Sequence, residues 1–421
     1  MSRSAASGSS RDVAGSAVTV GVGLFVTGVS TLVMMSLSAR ALSAPEYAAF
    51  AVWWTLATLL GTGFGVFETY LARLLVADSA AGRDIGRVLG LLLGRALAAG
   101  LGLALVLFLL APWLADRLFA GSTGLGLLLP VSVVLLGAQA LQRGAATGQG
   151  RFPAITAQLV TDGVLRAALS AAVILSGQES MAALAAGTCV ASAAGLVTGG
   201  RLIPRWLARP RLRDRTIPTR PLGHLFVGAV GPLLAGNASL PWLAATNSQD
   251  PVTLGAFAGA LTLSRLPTQF VSAAFAPLLA QLTRSSELGD AAGFRHLYRV
   301  ALACAGLFGL VFVAAFAGIG PWLLSVYIGP QYELPVAALA ALAAGSGALF
   351  LAYVEQAATA ARGHWPVIAW SWSSAIVVFV VVLALPGDEL ALACAAPLAS
   401  SAVAFVIMFA ASAAGGRDTR R

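Results

Sequence analysis

The sequence predicts an all-α polytopic membrane protein, with about twelve transmembrane helices in two six-helix bundles. Three observations carry that expectation. The 421 residues are 58% hydrophobic and only 10% charged, with a mean hydropathy of +0.85, whereas a soluble domain is about 25% charged. Apolar runs of about twenty residues, the length that crosses a bilayer, recur along the chain. Midway lies Arg201 to Arg220, with seven arginines, one aspartate and three prolines. Proline denies this stretch a long regular helix and the charge keeps it out of hydrocarbon, so it joins two apolar halves. Arginine-dense loops resist translocation, which assigns it to the cytoplasmic side and orients the rest.

Taken in order, residues 1–12 are small, polar and serine-rich and read as a disordered cytoplasmic N-terminus. The first bundle spans 13–203. Its first helix, about Val13 to Ser38, is followed by Ala39-Arg40-Ala41, which fits a signal-peptidase pattern, but the apolar run is too long for a signal core and is read as retained. Ser43-Ala44-Pro45-Glu46 makes an outer turn and a helix start. The second helix then runs from about Glu46 to Ala72, the third from Gly86 to Leu110, the fourth from Gly124 to Ala146, the fifth from Pro153 to Ser176 and the sixth from Ser180 to Ile203.

Residues 204–221 form the basic cytoplasmic linker, 222–413 the second bundle and 414–421 a cytoplasmic tail. The second bundle's helices run at about Leu222 to Ala245, Val252 to Leu282, Leu297 to Val326, Pro335 to Ala361, Trp365 to Leu385 and Leu390 to Ala413. Both termini then face the cytoplasm of a multi-pass protein of the cell membrane. Of 26 arginines, 21 fall inside, two outside and three within spans, the bias that positively charged loops impose. Pro45 through Ala49-Phe50-Ala51 resembles Pro251 through Ala256-Phe257-Ala258, and six helices per half imply a parallel internal repeat.

Composition excludes several chemistries. No lysine is present, which removes a Walker P-loop and Schiff-base catalysis. The net charge of +9 lies in short loops between apolar runs, a topology signal that does not point to nucleic acid. Cys189, Cys304 and Cys394 sit in apolar runs without metal spacing and read as buried packing, and His224, His296 and His364 fall at inner helix starts. No metal, cofactor or catalytic residue is expected. Gly86, Gly90 and Gly94 repeat at four-residue spacing, which suits close helix contact.

The chemistry of such a chain lies in polar groups within spans, because an ionised residue at mid-bilayer costs at least ~2.5–3.5 kcal/mol and needs a cavity or a partner. Six qualify: Glu68, Arg95, Asp162, Arg166, Arg265 and Glu355. Asp162 and Arg166 stand four apart and can pair on one helix face. Glu68 and Glu355 lie toward the inner helix ends, where capping or snorkelling is the alternative, and Arg95 can also snorkel. Arg265 is near a helix centre with no acid three or four residues away, and Pro267 beside it interrupts the backbone ladder.

Ser38-Ala39-Arg40-Ala41-Leu42-Ser43-Ala44-Pro45-Glu46-Tyr47-Ala48-Ala49-Phe50 resembles the signature between the first two helices of Wzx-type polysaccharide flippases, in the multidrug/oligosaccharidyl-lipid/polysaccharide (MOP) exporter superfamily. Leu254-Gly255-Ala256-Phe257, Leu263-Ser264-Arg265-Leu266-Pro267 and Ala276-Pro277-Leu278-Leu279 resemble that family's eighth helix. Tyr327-Ile328-Gly329-Pro330-Gln331-Tyr332 and Ala360-Ala361-Arg362-Gly363-His364 resemble two later turns. Ala48 and Ala49 depart from it where a glycine is usual.

The resemblance implies a MOP-flippase-like fold around a central cavity. It also implies alternating-access flipping of a polyprenyl-diphosphate-linked oligosaccharide, a cell-surface polysaccharide precursor. Arg265, Arg95 and Arg166 would bind substrate; Asp162, Glu68 and Glu355 would be coupling or structural acids. Partners would be the lipid-linked glycan, membrane lipids and, in polysaccharide biosynthesis, a polymerase and glycosyltransferases. A membrane-embedded glycosyltransferase or ligase, and a cation-coupled drug exporter of the same superfamily, remain open. Reporter fusions check the topology: after Asn247 or Tyr332 the reporter should be extracytoplasmic, and after Arg213 or Arg362 cytoplasmic. A cytoplasmic reporter at Asn247 would contradict twelve helices.

Overall fold

The computed structural model describes the backbone of residues 3–80, 86–178, 180–201, 220–246 and 250–418; side chains at 3–18, 73, 76–80, 86–93, 220–222, 224–225, 269–277 and 413–418 lie outside that description, as does most of the Arg201–Arg220 cluster. The described chain is helical throughout, with no strand. Two compact units divide it, Met1–Pro218 and Thr219–Arg421.

Unit 1 contains α1 (Arg3–Ala41), α2 (Ala44–Thr62), α3 (Gly65–Ala80), α4 (Gly86–Leu118), α5 (Thr123–Gly148), α6 (Phe152–Leu175) and α7 (Met181–Arg201). Unit 2 contains α8 (Arg220–Asn237), α9 (Ser239–Thr246), α10 (Pro251–Glu287), α11 (Ala291–Ile328), α12 (Val336–Ala361), α13 (Trp365–Leu383) and α14 (Glu389–Asp418). Among the described residues, ten helical segments, α2 and α3 together counting as one, are long and apolar enough to cross a membrane, or eleven spans with the bent pair α8–α9. The remaining expected span is α10, which is 37 residues long. A helix starts at Arg3, where the composition suggested disorder.

Local sequence explains the helix starts. Ser43 and Glu46 form a capping box on α2, with the Ser43 amide donating to Glu46 at 3.1 Å. Asp250 accepts from the amides of Val252 and Thr253, ahead of Pro251 at the start of α10. The Thr253 hydroxyl, first, and these amides hold the Asp250 carboxyl below the usual carboxylate range.

Two expected straight helices are broken. The second opens at Gly63-Phe64 between α2 and α3, within the Gly61-Gly63-Gly65 run. The seventh bends by 50° between α8 and α9. Pro241 has no amide to bond the carbonyl four residues back, at Asn237, and its ring crowds that carbonyl.

The two units share one neighbour scheme. In unit 1, α5 touches α2, α3, α4 and α7, while α6 packs on α1 and α7. In unit 2, α12 touches α10, α11 and α14, while α13 packs on α8 and α14. That is the same order of contacts seven elements later, as an internal repeat requires.

Each unit exposes large apolar side chains and buries some of its charges. Leu109, Leu310 and Trp370 are 69%, 71% and 72% exposed, whereas Asp162, Arg166 and Glu355 are 3%, 2% and 0% exposed. That inversion suits a hydrocarbon solvent. Cys304 follows the outward pattern and is exposed on α11, against the expectation of burial, while Cys189 and Cys394 are buried.

Close helix approach does not use the glycine motif of α4 at Gly94, where a side chain would meet open space; Gly86 and Gly90 lie outside the described side chains. It occurs at Gly144 of α5. A Cβ there would stand 2.6 Å from the Glu68 carbonyl oxygen of α3. Backbone cannot retreat as a flexible side chain can, so Gly144→Ala should destabilise the protein by about 1–3 kcal/mol. Thermal unfolding in detergent checks this: an unchanged melting temperature would show that α3 gives way freely.

Candidate functional site

The six span charges fall into four kinds of environment. In unit 1, α6 points Asp162 and Arg166 inward, one helical turn apart. They form a buried ion pair between Arg166 Nη2 and Asp162 Oδ2. The remaining atoms are engaged too, apart from Arg166 Nε, which has no hydrogen-bond partner among the described residues. Arg166 Nη1 donates to Thr31 Oγ1 of α1 at 3.1 Å, and the guanidinium lies 4.6 Å from the Trp54 ring of α2. Ser192 of α7 donates to Asp162 Oδ1 at 2.9 Å. Gln139 of α5 donates to the Ser192 carbonyl at 2.9 Å, and Gln158 to the Gln139 carbonyl at 3.3 Å. This network ties α1, α2, α5, α6 and α7 together. Of its members only the i, i+4 pair could be read from spacing; Thr31, Trp54, Gln139, Gln158 and Ser192 carry no signal in sequence.

Glu68 is also paired. Arg143 of α5 grips it with Nε and Nη2, the latter at 3.0 Å, and both side chains are partly exposed. The pair lies where Gly144 brings α5 against the α3 backbone. Arg143 lies in the last two turns of α5. Arg95 is exposed on α4, among the outward leucines Leu97 and Leu101, as a snorkelling arginine would be.

Unit 2 is different. Arg265 lies in α10, its stem partly exposed but its three guanidinium nitrogens buried, and none has a hydrogen-bond partner among the described residues. The guanidinium sits against Gly236, one residue before the end of α8: a Cβ at Gly236 would be 3.3 Å from Cζ of Arg265. Gly236 therefore leaves room for the arginine head at the bend. Ser239, which opens α9 beyond the bend, is also buried with its hydroxyl unpartnered among the described residues. Tyr353 of α12 is close enough to act electrostatically on the guanidinium.

The helix runs on through Pro267. Thr268 Oγ1 donates to the Arg265 carbonyl, and Ser346 Oγ of α12 donates to the Ser264 carbonyl at 2.8 Å. Backbone acceptors near Pro267 are thus satisfied by hydroxyls, which leaves them engaged beside the arginine head.

Glu355 of α12 is wholly buried. Its two oxygens accept from Tyr298 of α11 at 2.6 Å and from Ser412 of α14 at 2.7 Å. No ion pair to it is seen among the described residues. The neighbouring Gln356 faces elsewhere: it accepts from the Trp372 indole of α13 at 2.7 Å and donates to the Gly228 carbonyl of α8 at 3.4 Å. Among the described residues, no group of three or more His, Cys, Asp or Glu side chains is placed to hold a metal ion.

These helices build a known architecture. The chain superposes on an inward-facing multidrug resistance MATE family transporter of the MOP superfamily with a TM-score of 0.68, covering 93% of this chain and 96% of that one at 13% identity. This is the MATE-like fold of MOP transporters. A MOP superfamily transporter from Pyrococcus furiosus, described as having a binding pocket of reversed polarity that suggests a different function, matches with a TM-score of 0.66 at 13% identity, over 93% of this chain and 92% of that one. In sequence, uncharacterized proteins of two Mycobacterium tuberculosis strains are 32% identical over 271 residues, which is 62% of this chain. The chain spans 59% of the length of these curated relatives. No family model matches it.

The buried pair of unit 1 gives a sharp test. Removing one partner leaves an uncompensated buried charge, a loss of about 3–5 kcal/mol, whereas removing both is milder. Asp162→Asn and Arg166→Gln should each lower membrane abundance, and the double variant should recover much of it. A double variant less abundant than either single one would mean that the charges are needed beyond each other.

Proposed function

We propose that the chain is a membrane transporter that flips an anionic lipid-linked saccharide, of the polyprenyl-diphosphate-linked oligosaccharide class, between the leaflets. The observation that carries this reading is Arg265. A guanidinium buried in a membrane protein without a described partner is costly unless something anionic completes it. Its planar fork donates several charge-assisted hydrogen bonds and matches phosphate oxygens in geometry. The Gly236 space and the unpartnered Ser239 hydroxyl at the α8–α9 bend add room and a further donor on the same two helices. The MATE-like fold supports transport, and the resemblance of the Leu263-Ser264-Arg265-Leu266-Pro267 stretch to polysaccharide flippases supports the substrate class.

The alternatives have less support. A cation-coupled drug exporter that uses Asp162 or Glu68 as its cation ligand would first have to break an arginine pair. A glycosyltransferase or ligase needs a sizeable extracytoplasmic loop for its acids or base. The described connections assigned to that side are short: Phe119 to Ser122, Ser176 to Ser180, Gly329 to Pro335 and Ala384 to Asp388. The fold also accommodates pockets of opposite polarity, as described for the Pyrococcus furiosus transporter.

The test is glycan export together with membrane abundance. Arg265→Ala should lower export by about tenfold or more, the worth of one strong charge-assisted hydrogen-bond set, with abundance maintained because a costly buried charge is removed. Arg265→Lys keeps the charge, loses the fork and should be intermediate. Normal export by an abundant Arg265→Ala protein would end the phosphate-binding reading.

A further inference from the structure

We propose that the lipid-facing side of α11 holds the phosphate of an anionic phospholipid between Arg295 and Arg299. Neither residue belongs to the charges within spans, so the site is independent of any transported substrate. The two arginines stand four apart on one helix face, and both are exposed. The face continues along α11 as Val300, Cys304, Leu307 and Val311, all exposed. Phe294, Tyr298 and Ala305 take the inner side, packed on residues of α10 and α12. An exposed apolar track of this kind meets acyl chains in a bilayer, and here it ends on two guanidinium groups.

Depth places those groups among the headgroups. α11 has 38 residues and is about 57 Å long at 1.5 Å per residue, nearly twice the ~30 Å hydrocarbon layer. Its level in the membrane is marked by Trp322, which is exposed near the far end and follows Pro321. Tryptophan collects at the membrane–water interface. The corresponding helix of unit 1 repeats the feature: Pro112-Trp113-Leu114 of α4 matches Pro321-Trp322-Leu323, and Trp113 is exposed as well. With Trp322 at one interface, Arg299 lies about 35 Å away along the helix and Arg295 about 40 Å. Those are the depths of the phosphates of the opposite leaflet, on the side of the α10–α11 connection. Residues 300–321, in between, carry no charge.

The free valences of the arginines select the occupant. Arg295 Nε donates to the Ala291 carbonyl at 3.0 Å, which leaves its Nη groups unengaged, and no acid pairs with either arginine among the described residues. Glu287 and Asp290 end α10 and precede α11, farther from the hydrocarbon than the arginines. Asp290 is turned onto the helix start, where it accepts from the Gly293 amide at 2.8 Å. Arg284, exposed in the last turn of α10, adds positive charge at the same end. Two guanidinium forks one turn apart can share the free oxygens of a phosphodiester through charge-assisted hydrogen bonds. A zwitterionic headgroup offers the same phosphate but brings its own cation to a cationic site, so an anionic lipid is preferred.

Cys304 supplies the probe. It is exposed, five residues or about 7–8 Å into the apolar track from Arg299, whereas Cys189 and Cys394 are buried. The full chain is labelled there with a maleimide fluorophore in detergent. It is then reconstituted in vesicles of equal parts phosphatidylglycerol and phosphatidylcholine, with bromine on the acyl chains of only one of the two. Bromine quenches a fluorophore it touches, so the two preparations compare how often each lipid occupies the face. Phosphatidylglycerol should be favoured by about fivefold or more, the weight of one or two basic contacts at a membrane surface. Arg295→Gln and Arg299→Gln should each lower that preference, and the double variant should abolish it; both side chains are exposed, so the fold should be unaffected. Arg151→Gln removes the same charge from an exposed position of unit 1 and should leave the preference unchanged. Equal quenching by both lipids in the unsubstituted chain, no quenching by either because a second copy covers the face, or an equal loss in Arg151→Gln would overturn the proposal.

Discussion

A charge inside a protein that lies in hydrocarbon must find its partner within the chain, because the lipid offers neither counter-charge nor hydrogen bonds. That constraint orders what is polar in this molecule. In unit 1 it is met by direct pairing. Arg166 reaches Asp162 on its own helix, and Arg143 reaches Glu68 across two helices. Each pair is extended by neutral groups, so that Asp162 alone draws together α6 and α7 and, through Arg166, α1 and α2. The pairs also hold helices in register, since the Glu68–Arg143 contact sits beside the Gly144 approach.

Unit 2 has the same order of helix contacts but meets the constraint differently. Its acid is held by two hydroxyls, and its arginine lies at a bend with no described partner. Acid and arginine therefore remain chemically open in unit 2, where in unit 1 they close on each other. Both are placed by α12 and its neighbours: Ser346 fastens α10 one residue from Arg265, and Glu355 receives α11 and α14.

The breaks in the helices differ between the units as well. Unit 1 interrupts its second span at Gly63-Phe64, and unit 2 its first at Ala238, next to Asn237, whose carbonyl the amide-less Pro241 four residues on cannot bond. The second break matters most for chemistry, because it lies against Arg265. Irregular backbone at membrane depth is tolerated where protein surrounds it, and here Gly236 supplies the space and α10 the surroundings.

The sequence by itself determined the all-α membrane class, nearly all of the spans, the helix start at Ser43, and the six charged residues that needed explanation. These are local or compositional properties: hydropathy over twenty residues, capping within four, proline and glycine at turns. It also exposed the Asp162–Arg166 pair, because partners four apart share a helix face. Only the tertiary structure decided which charges are closed and which are open. Arg143 lies 75 residues from Glu68, Ser192 30 from Asp162, and both Tyr298 and Ser412 57 from Glu355. Helical periodicity reports neighbours along one helix and is silent about the helix alongside, and in an apolar bundle that neighbour is what fixes the state of a buried charge.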